Sequence, residues 1–433
     1  LAVATVSQVE NRDIAPYRIP SLLGAILAAA ACAWAGAALF GQRAGFLGGI
    51  LLGATFLLSS EAGIAKTDAM LCGAVTLAMA ALARIYMAAR ADKAPQRLHK
   101  LLFWLGLGLS ILIKGPIGLI VILPAMIALS VWDRDLTWMR RLGWGWGLPL
   151  VALIVGPWAI AITIATDGGF WREAIGGDLA PKLTGAHESH GGFPGMYLVL
   201  APLLLFPATL MLPAALSTAW HRRAEPAVRF MVCWLVPAWL IFEAAPTKLW
   251  HYTLPTFGAV ALLAAAALTQ PIGAAAIGAF LLLNRAATSA VLASVMLGVI
   301  AHAALAGTLR QLRPLSVAPR LEATLEQAAL HPRQGRITGP VAITGFHEPS
   351  FVFLTGRNTE LTDAEGAARA LAEGRPAIVE AHDADAFHQS SARLGVTGRA
   401  VGVVTGHNYS NGDDVSLTVY APPGAADTPG GRR

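Results

Sequence analysis

The chain has 433 residues, of which 55% are hydrophobic and only 13% are charged, and its mean hydropathy is +0.57. A soluble domain carries about 25% charged residues, so the composition excludes an ordinary soluble protein and indicates a membrane protein. The net charge of +6 fits this class, because basic residues flank apolar helices on the cytoplasmic side of membranes. We therefore predict no nucleic-acid partner and expect the chain to be surrounded by membrane lipids.

Ten apolar stretches have, or nearly have, the length of about 20 residues that is needed to cross a membrane. In chain order they are residues 19–40, 44–60, 68–87, 101–113, 116–132, 144–164, 196–216, 230–242, 249–268 and 288–305. Residues 271–283 are too short to cross comfortably. The predicted fold class is therefore a polytopic α-helical membrane protein with about ten spans, followed by a small C-terminal α/β soluble domain.

Basic residues gather on alternate connections between these stretches. They are Arg43, Arg84, Arg90, Lys93, Arg97, Lys100, Arg134, Arg140, Arg141, Arg222, Arg223 and Arg229. Under the positive-inside rule this set of connections faces the cytoplasm. The opposite set, which faces outward, holds most of the acidic residues and all the candidate sites of the membrane domain described below.

The pattern changes after residue 306 to short strands that alternate with helices. We predict helices at 321–330, 363–373 and 383–394, and strands at 341–344, 378–380, 400–405 and 415–420. This alternation is typical of an α/β domain. We divide the chain into the end of an outer loop (1–17), a membrane domain (18–306), a soluble domain (307–424) and a disordered tail (425–433). Whether residues 271–283 also cross decides the side of the membrane on which the soluble domain lies.

The first candidate site is the segment Glu61-Ala-Gly-Ile-Ala-Lys66-Thr67-Asp68 at the outer ends of two predicted helices. It supplies carboxylate and ammonium groups within about two helical turns. Ionisable residues at such positions are functional candidates by default. The alternative interpretation is helix capping, in which Thr67 or Asp68 accepts hydrogen bonds from free backbone N–H groups.

The second candidate is Lys114-Gly115-Pro116, where one predicted helix ends and the next begins at the outer boundary. A phosphate at this position would gain a point charge from Lys114 and the N–H groups of the following helix. The alternative is that Lys114 only extends its charged tip to the membrane surface.

The third candidate is the segment from Pro246 to Pro255 at another outer helix entrance. We predict that Lys248 and His251, three residues apart, share one helix face and bind a phosphate or a charged headgroup. Trp250 and Tyr252 by themselves would be typical of an interfacial aromatic belt.

The fourth candidate is the outer loop at residues 167–193. Lys182 and Glu188 are candidates for substrate contact. His187 and His190 have the ligand chemistry for a divalent metal, but their spacing is not that of a zinc-protease helix. The alternative is a solvated loop without metal, and no other cofactor is predicted.

Four segments occur in a consistent order: Tyr17-Arg18-Ile19-Pro20, Lys66-Thr67-Asp68, Lys114-Gly115-Pro116 and Lys248-Leu-Trp-His251-Tyr252. The series resembles bacterial GT-C glycosyltransferases of the aminoarabinose transferase and protein O-mannosyltransferase superfamily. The segment Gly345-Phe-His347-Glu348-Pro349 is also similar to the start of the soluble domain of aminoarabinose-transferase-like members.

The resemblance implies an inverting enzyme of the bacterial inner membrane. It would move a sugar from a polyprenyl-phosphate donor to a lipid A-like or protein acceptor on the periplasmic face. Asp68 matches an acidic position near the family's active site, and we predict a catalytic role for it. The residues predicted to bind the donor and its phosphate are Arg18, Lys66, Lys114, Lys248, His251 and Tyr252.

Two other functions remain open on the sequence. A transporter or flippase of a lipid-linked substrate would also place cations at the membrane surface, although transporters bind near the bilayer midplane. A non-catalytic binding subunit of the same fold is the second alternative. The resemblance places the family's first helix and the acidic residue of its first outer loop, the presumed catalytic base, upstream of Leu1. We therefore expect the chain as given to be inactive.

Overall fold

The structure is a computed structural model. It describes residues 15–174, 176, 192–269, 288–289, 291–304, 307–308, 314, 316–334, 337, 339–408 and 413–425. The chain separates into two compact units, which divide between Ala303 and Ala304. We describe each unit by itself.

The first unit is helical. Its helices are α1 (Ala15–Leu39), α2 (Gln42–Gly53), α3 (Phe56–Ala62), α4 (Asp68–Arg90), α5 (Arg97–Lys114), α6 (Ile117–Asp133), α7 (Thr137–Arg140), α8 (Trp144–Ala165), α9 (Gly169–Arg172), α10 (Met196–Leu204), α11 (Leu212–His221), α12 (Pro226–Ala244), α13 (Phe257–Thr269) and α14 (Val291–Ala304). Short 3₁₀ turns at Ala208–Met211 and Leu254–Thr256 precede α11 and α13.

Among the described residues, α1, α4, α8 and α12 are long and apolar enough to cross a membrane. Two bent pairs of helices each have the composition of one further span, and α6, α13 and α14 are shorter apolar helices. These helices make the chain a polytopic membrane protein, as its composition predicts.

Two of the predicted stretches are broken rather than single helices. Residues 44–60 divide between α2 and α3 at a bend of 62°. The break is stabilised because the N–H of Phe56 donates to the carbonyl of Phe206 (2.7 Å) and the hydroxyl of Thr55 donates to Leu52 (2.8 Å). Residues 196–216 bend by 107° after α10, where Pro207 has no N–H to continue the helix.

Helices α1 and α4 pack closely through glycines. A Cβ atom added at Gly24 would lie 2.5 Å from the Cα of Met70, and one added at Gly73 would lie 2.5 Å from the carbonyl oxygen of Gly24. Small residues of this kind let helix backbones approach each other inside membranes. The contact fixes the start of α4, and therefore the position of Asp68.

The segment between α12 and α13 is a turn instead of the predicted helix start. Ala245 is extended (φ −65°, ψ 135°), as expected for the residue before a proline. The turn continues to Thr253, with hydrogen bonds from Tyr252 N to Leu249 O (3.0 Å) and from Leu254 N to His251 O (3.1 Å). The prediction that Lys248 and His251 share a helix face is therefore wrong.

The second unit contains a five-stranded sheet with helices on both faces. Its elements are α15 (Val317–Gln327), β1 (Ala342–Ile343), α16 (Pro349–Thr355), β2 (Glu360–Leu361), α17 (Ala364–Ala372), β3 (Ala377–Glu380), α18 (Ala384–Arg393), β4 (Arg399–His407) and β5 (Asp414–Ala421). The strand order is β2-β1-β3-β5-β4, with β2, β1 and β3 parallel and β5 antiparallel to both of its neighbours.

Side chains of the sheet alternate between two cores. Ile378 packs in a cluster with Leu321 of α15, whereas Val379 packs in a second cluster with Ala367 of α17 and Phe387 of α18. This alternation has the period of two residues that a strand imposes. Each helix and strand predicted for this region is present with slightly different ends, and α16 and the two-residue β2 are additional elements.

Candidate functional site

Asp68 is the first residue of α4, and its carboxylate is directed to charged neighbours instead of its own helix. No side-chain cap is made by Thr67, and Asp68 contacts Lys114 and His251. The side chain of Asp68 is only 7% exposed. The positive end of the helix dipole favours a carboxylate at this position, but the partners of Asp68 lie outside α4. The Thr67 capping interpretation is therefore wrong.

Lys114 reaches Asp68 from the end of α5. Helix α5 stops at Gly115, whose φ of +58° is a left-handed conformation that favours glycine. The Nζ atom of Lys114 lies 2.5 Å from Oδ1 of Asp68. The Lys114 side chain is still 30% exposed, in contrast to that of Asp68.

His251 is the third member of this group. Its Nε2 atom lies 3.5 Å from Oδ1 of Asp68, and its side chain is 7% exposed. Burial lowers the pKa of His251; the charge of Asp68 opposes this shift, and the charges of Lys114 and Lys66 add to it. The lowered pKa favours the neutral imidazole, and its buried Nδ1 has no hydrogen-bond partner within the described structure. We call Asp68, Lys114 and His251 the Asp68 cluster.

A second buried carboxylate, Glu61, lies at the end of α3. It interacts electrostatically with Asp68, Lys66 and Lys114. Its Oε2 atom is buried and makes no hydrogen bond to any described residue. In the sequence, Glu61 is noted only as part of the segment that ends at Asp68. Its burial beside a second acid is visible only in the structure.

Lys66 and Arg18 lie at the same end of the helical unit. Lys66 is exposed, and its carbonyl accepts a hydrogen bond of 2.6 Å from Ser21, one turn after Arg18 on α1. The Nε atom of Arg18 is buried and makes no hydrogen bond among the described residues. The donor-binding role predicted for these two cations remains a prediction.

Lys248 is directed to backbone atoms. It is buried, and its ammonium group donates to the carbonyls of Ala245 (2.8 Å) and Gly192 (3.4 Å). Tyr252 is half-buried, with its ring near those of His251 and Phe242. The two carbonyl contacts use two of the three ammonium donors of Lys248, and its role in binding phosphate remains a prediction.

The turn that carries Lys248 and His251 is held by two residues that sequence reasoning missed. The carboxylate of Glu243 accepts hydrogen bonds from the N–H groups of Gly195 and Tyr197 at the start of α10. The hydroxyl of Tyr197 in turn donates to the carbonyl of Leu249 (3.1 Å). The sequence indicates a role for Glu243 only in that an acidic residue lies at the end of an apolar helix.

The loop residues Lys182, His187, Glu188 and His190 lie outside the described residues. Within the described ranges, no three His, Cys, Asp or Glu side chains are grouped so as to hold a metal ion.

A second charged cluster lies at the opposite end of α4. The fully buried carboxylate of Asp133 accepts a hydrogen bond from Tyr86 (2.7 Å), pairs with Arg90 (2.7 Å) and contacts Arg229. Because α4 begins at Asp68 and ends at Arg90, the two clusters are separated by the length of that helix. The basic connections and the Asp68 cluster therefore lie at opposite ends of α4, as the charge pattern predicts.

In the Asp68 cluster, a carboxylate that can accept a proton lies beside a cation at the ends of apolar helices. A carboxylate can orient and deprotonate a hydroxyl group, and a lysine can stabilise a developing phosphate charge. A neutral histidine can add one hydrogen bond to either reactant. The cluster is therefore suited to group transfer from a phosphate-linked donor.

Comparisons with known proteins agree with this chemistry. Residues 8–168 match the model of the family described as dolichyl-phosphate-mannose-protein mannosyltransferase. The chain is 32% identical over 224 residues to an undecaprenyl phosphate-alpha-4-amino-4-deoxy-L-arabinose arabinosyl transferase of Pseudomonas paraeruginosa, a match that covers 51% of this chain and 40% of the relative. A Pseudomonas aeruginosa protein of the same name is 33% identical over 228 residues, with the same two coverages.

The fold is similar to that of a solved structure. ArnT from Cupriavidus metallidurans bound to undecaprenyl phosphate superposes with a TM-score of 0.74 at 18% identity, covering 95% of this chain and 85% of that one. Its apo state gives a TM-score of 0.70, with coverages of 93% and 83%.

These findings confirm the resemblance that the motifs predicted. The chain is similar to the GT-C glycosyltransferases of the aminoarabinose transferase and protein O-mannosyltransferase superfamily. It spans less than half the length of the curated relatives it matches.

Proposed function

We propose that the whole protein is a membrane glycosyltransferase that moves an aminoarabinose- or mannose-like sugar from a polyprenyl-phosphate donor to a lipid A-like acceptor. The observation that carries this proposal is the contact of 2.5 Å between Lys114 and Asp68, beside His251, at the ends of apolar helices. The names of the relatives, which are arabinosyl transferases of undecaprenyl phosphate, support the same reaction.

In the proposed reaction, the acceptor hydroxyl oxygen attacks the anomeric carbon of the donor sugar. The bond between that carbon and the phosphate oxygen breaks, and the phosphate leaves with the electron pair on the polyprenyl carrier. A carboxylate takes the hydroxyl proton, with Asp68 as the candidate among the described residues, and Lys114 moves from Asp68 to the departing phosphate. The exposed fraction of the Lys114 side chain makes this exchange of partners possible.

The remaining residues have supporting roles in this proposal. Arg18, Lys66 and Lys248 are the further cations that would bind the donor phosphate. His251 would lie near the same phosphate, and Tyr252 would contact the donor. Lys182 and Glu188 would contact the substrates from the outer loop, and His187 with His190 would hold a divalent metal if one takes part. A protein acceptor is the alternative to the lipid.

We also propose the placement in the cell. The protein lies in the bacterial inner membrane with about ten spans, the Asp68 cluster faces the periplasm, and the second unit forms a periplasmic domain. The excess of basic residues at the ends of the helices that carry Arg90 and Arg229 supports this orientation.

The proposal is tested by a transfer assay on the whole protein in nanodiscs. Polyprenyl-phosphate sugars with a radiolabel in the sugar are supplied together with a membrane extract as the acceptor. We expect label in a lipid product. Folded protein that binds the donor but yields no labelled lipid or protein would contradict the transferase, and donor movement across the bilayer in its place would favour a flippase.

A further inference from the structure

An apolar groove of about 330 Å³ opens between α11, α12 and α13, outside the Asp68 cluster. Its floor is formed by Ala215, Val260 and Leu263, which are buried, and its rims by Leu216 and Val236, which are exposed. Each of these side chains consists of hydrocarbon alone. The groove therefore has the chemistry of a site for an acyl chain and not for a polar ligand.

One end of the groove is charged and aromatic. Arg223, in the connection between α11 and α12, lines it together with Trp220 and Trp132. The guanidinium carbon of Arg223 lies 4.5 Å from the centre of the Trp220 ring, and its Nη1 atom donates to the carbonyl of Trp220 (2.6 Å). Tryptophan and arginine at a helix end are typical of the headgroup layer of a membrane.

The charge of Arg223 is available to a ligand. Its neighbours are already paired, because Arg222 binds Glu225 (2.7 Å) and Arg229 contacts Asp133. Among the residues that the structure describes, no carboxylate lies within 4.0 Å of the Arg223 guanidinium. An anionic group at the mouth of the groove would therefore complement an unneutralised cation.

We propose that this groove binds one acyl chain of an anionic phospholipid, with the lipid phosphate held by Arg223. Ala215 and Ala219 are four residues apart and line the groove from the same face of α11. Their small side chains leave the volume that the chain fills. The groove lies near the Arg229 end of α12. His251 of the Asp68 cluster follows the other end of α12, so the lipid site is separate from the proposed site of the sugar donor.

The test is native mass spectrometry of the whole protein with phosphatidylglycerol or phosphatidylcholine of identical acyl chains. We expect phosphatidylglycerol to be retained about fivefold better by the wild type, the effect of one basic residue at an anionic headgroup. Arg223→Gln should abolish this preference and leave weak binding of both lipids. Ala219→Phe should reduce binding of both lipids, because the ring fills the groove.

Two matched variants serve as controls. Arg140→Gln removes an exposed arginine from the same set of connections but outside the groove lining, and Ala152→Phe adds the same ring to the exposed face of α8. Both should behave as the wild type. Arg223 is exposed, so its variant remains informative even if Ala219→Phe does not fold.

Three results would overturn the proposal. The first is equal retention of the two lipids by the wild type. The second is an equal loss of the preference for phosphatidylglycerol in Arg140→Gln and Arg223→Gln. The third is preferential retention of polyprenyl phosphate over phosphatidylglycerol that Ala219→Phe removes, since this would assign the groove to the donor.

Discussion

Lys114 contacts Asp68 in the structure and would contact the donor phosphate in the proposed reaction. In the structure its ammonium group is bound to Asp68, whose side chain is nearly inaccessible, while Lys114 itself is partly exposed. A hydrogen bond between charged groups contributes about 1.5–3 kcal/mol. A donor phosphate must therefore bind well enough to compete for Lys114, or bind beside Asp68 without breaking the pair.

We predict that Lys114→Gln raises the KM for the polyprenyl-phosphate donor by roughly 10- to 100-fold, the factor that corresponds to one charged hydrogen bond. Lys100→Gln, at the opposite end of α5, is the control and should leave KM unchanged. Steady-state transfer kinetics at varied donor concentration give both values. A KM for Lys114→Gln equal to that of the control variant would exclude its phosphate role.

At the scale of elements, the glycine contact between α1 and α4 determines where Asp68 lies. We predict that Gly73→Ala costs about 1–3 kcal/mol, because the added Cβ would lie 2.5 Å from the Gly24 carbonyl oxygen. Gly156→Ala on α8 is the control, since a Cβ there meets no atom within 4 Å. The thermal unfolding midpoint in detergent should fall for the first variant only, and an equal midpoint for both would contradict the packing argument.

In the second unit, Glu380 joins the end of β3 to β5. Burial raises the pKa of Glu380, but hydrogen bonds from the N–H groups of His382 and Ser416 and from the His382 side chain outweigh burial and lower it. Since the folded pKa is depressed, the stabilisation by Glu380 is present above its unfolded pKa of about 4.3. It is lost as the pH falls through the folded value.

We therefore predict that Glu380→Gln speeds hydrogen exchange of the β5 amides around Ser416 at pH 7. The difference from the wild type should shrink as the pH falls through the depressed pKa of Glu380, because the wild-type carboxylate is then also protonated. Hydrogen-exchange mass spectrometry of the whole protein measures this difference in exchange rate. A difference that persists undiminished at the lowest pH would mean that Glu380 acts through packing and not through its charge.

The sequence predicted the positions of the helices better than the positions of the breaks within them. Length and apolar content located α4 and α12, because a single long helix satisfies its own backbone hydrogen bonds. The break between α2 and α3 depends on the carbonyl of Phe206, which is far away in the chain. The turn at Leu249–Thr253 depends on Tyr197 in the same way, so a local pattern indicated a helix there.

Within the candidate site, residue chemistry identified the participants but not their partners. Asp68, Lys114 and His251 were each predicted from charge at a helix end, in three separate segments. Their contact follows from the packing of α4, α5 and the turn, which periodicity does not reveal. Asp133 was missed because its significance comes from complete burial between Arg90 and Arg229.

At the scale of the whole molecule, two charged clusters occupy opposite ends of the helical unit, and only one orientation in the membrane satisfies the positive-inside rule. We predict that Lys66→Cys reacts with a membrane-impermeant maleimide in intact cells and that Arg97→Cys reacts only after lysis. The native Cys32, Cys72 and Cys233 are buried and provide little background. The reverse pattern of labelling would invert the proposed orientation.

The proposed function requires the Asp68 cluster to be the site of sugar transfer. The most direct measurement is the turnover of Asp68→Asn in the transfer assay, compared with Asp135→Asn at the opposite end of the helices. We predict that kcat of Asp68→Asn falls roughly 100-fold or more, as for loss of a general base, while Asp135→Asn retains the wild-type value. A folded Asp68→Asn protein with wild-type kcat would contradict the account.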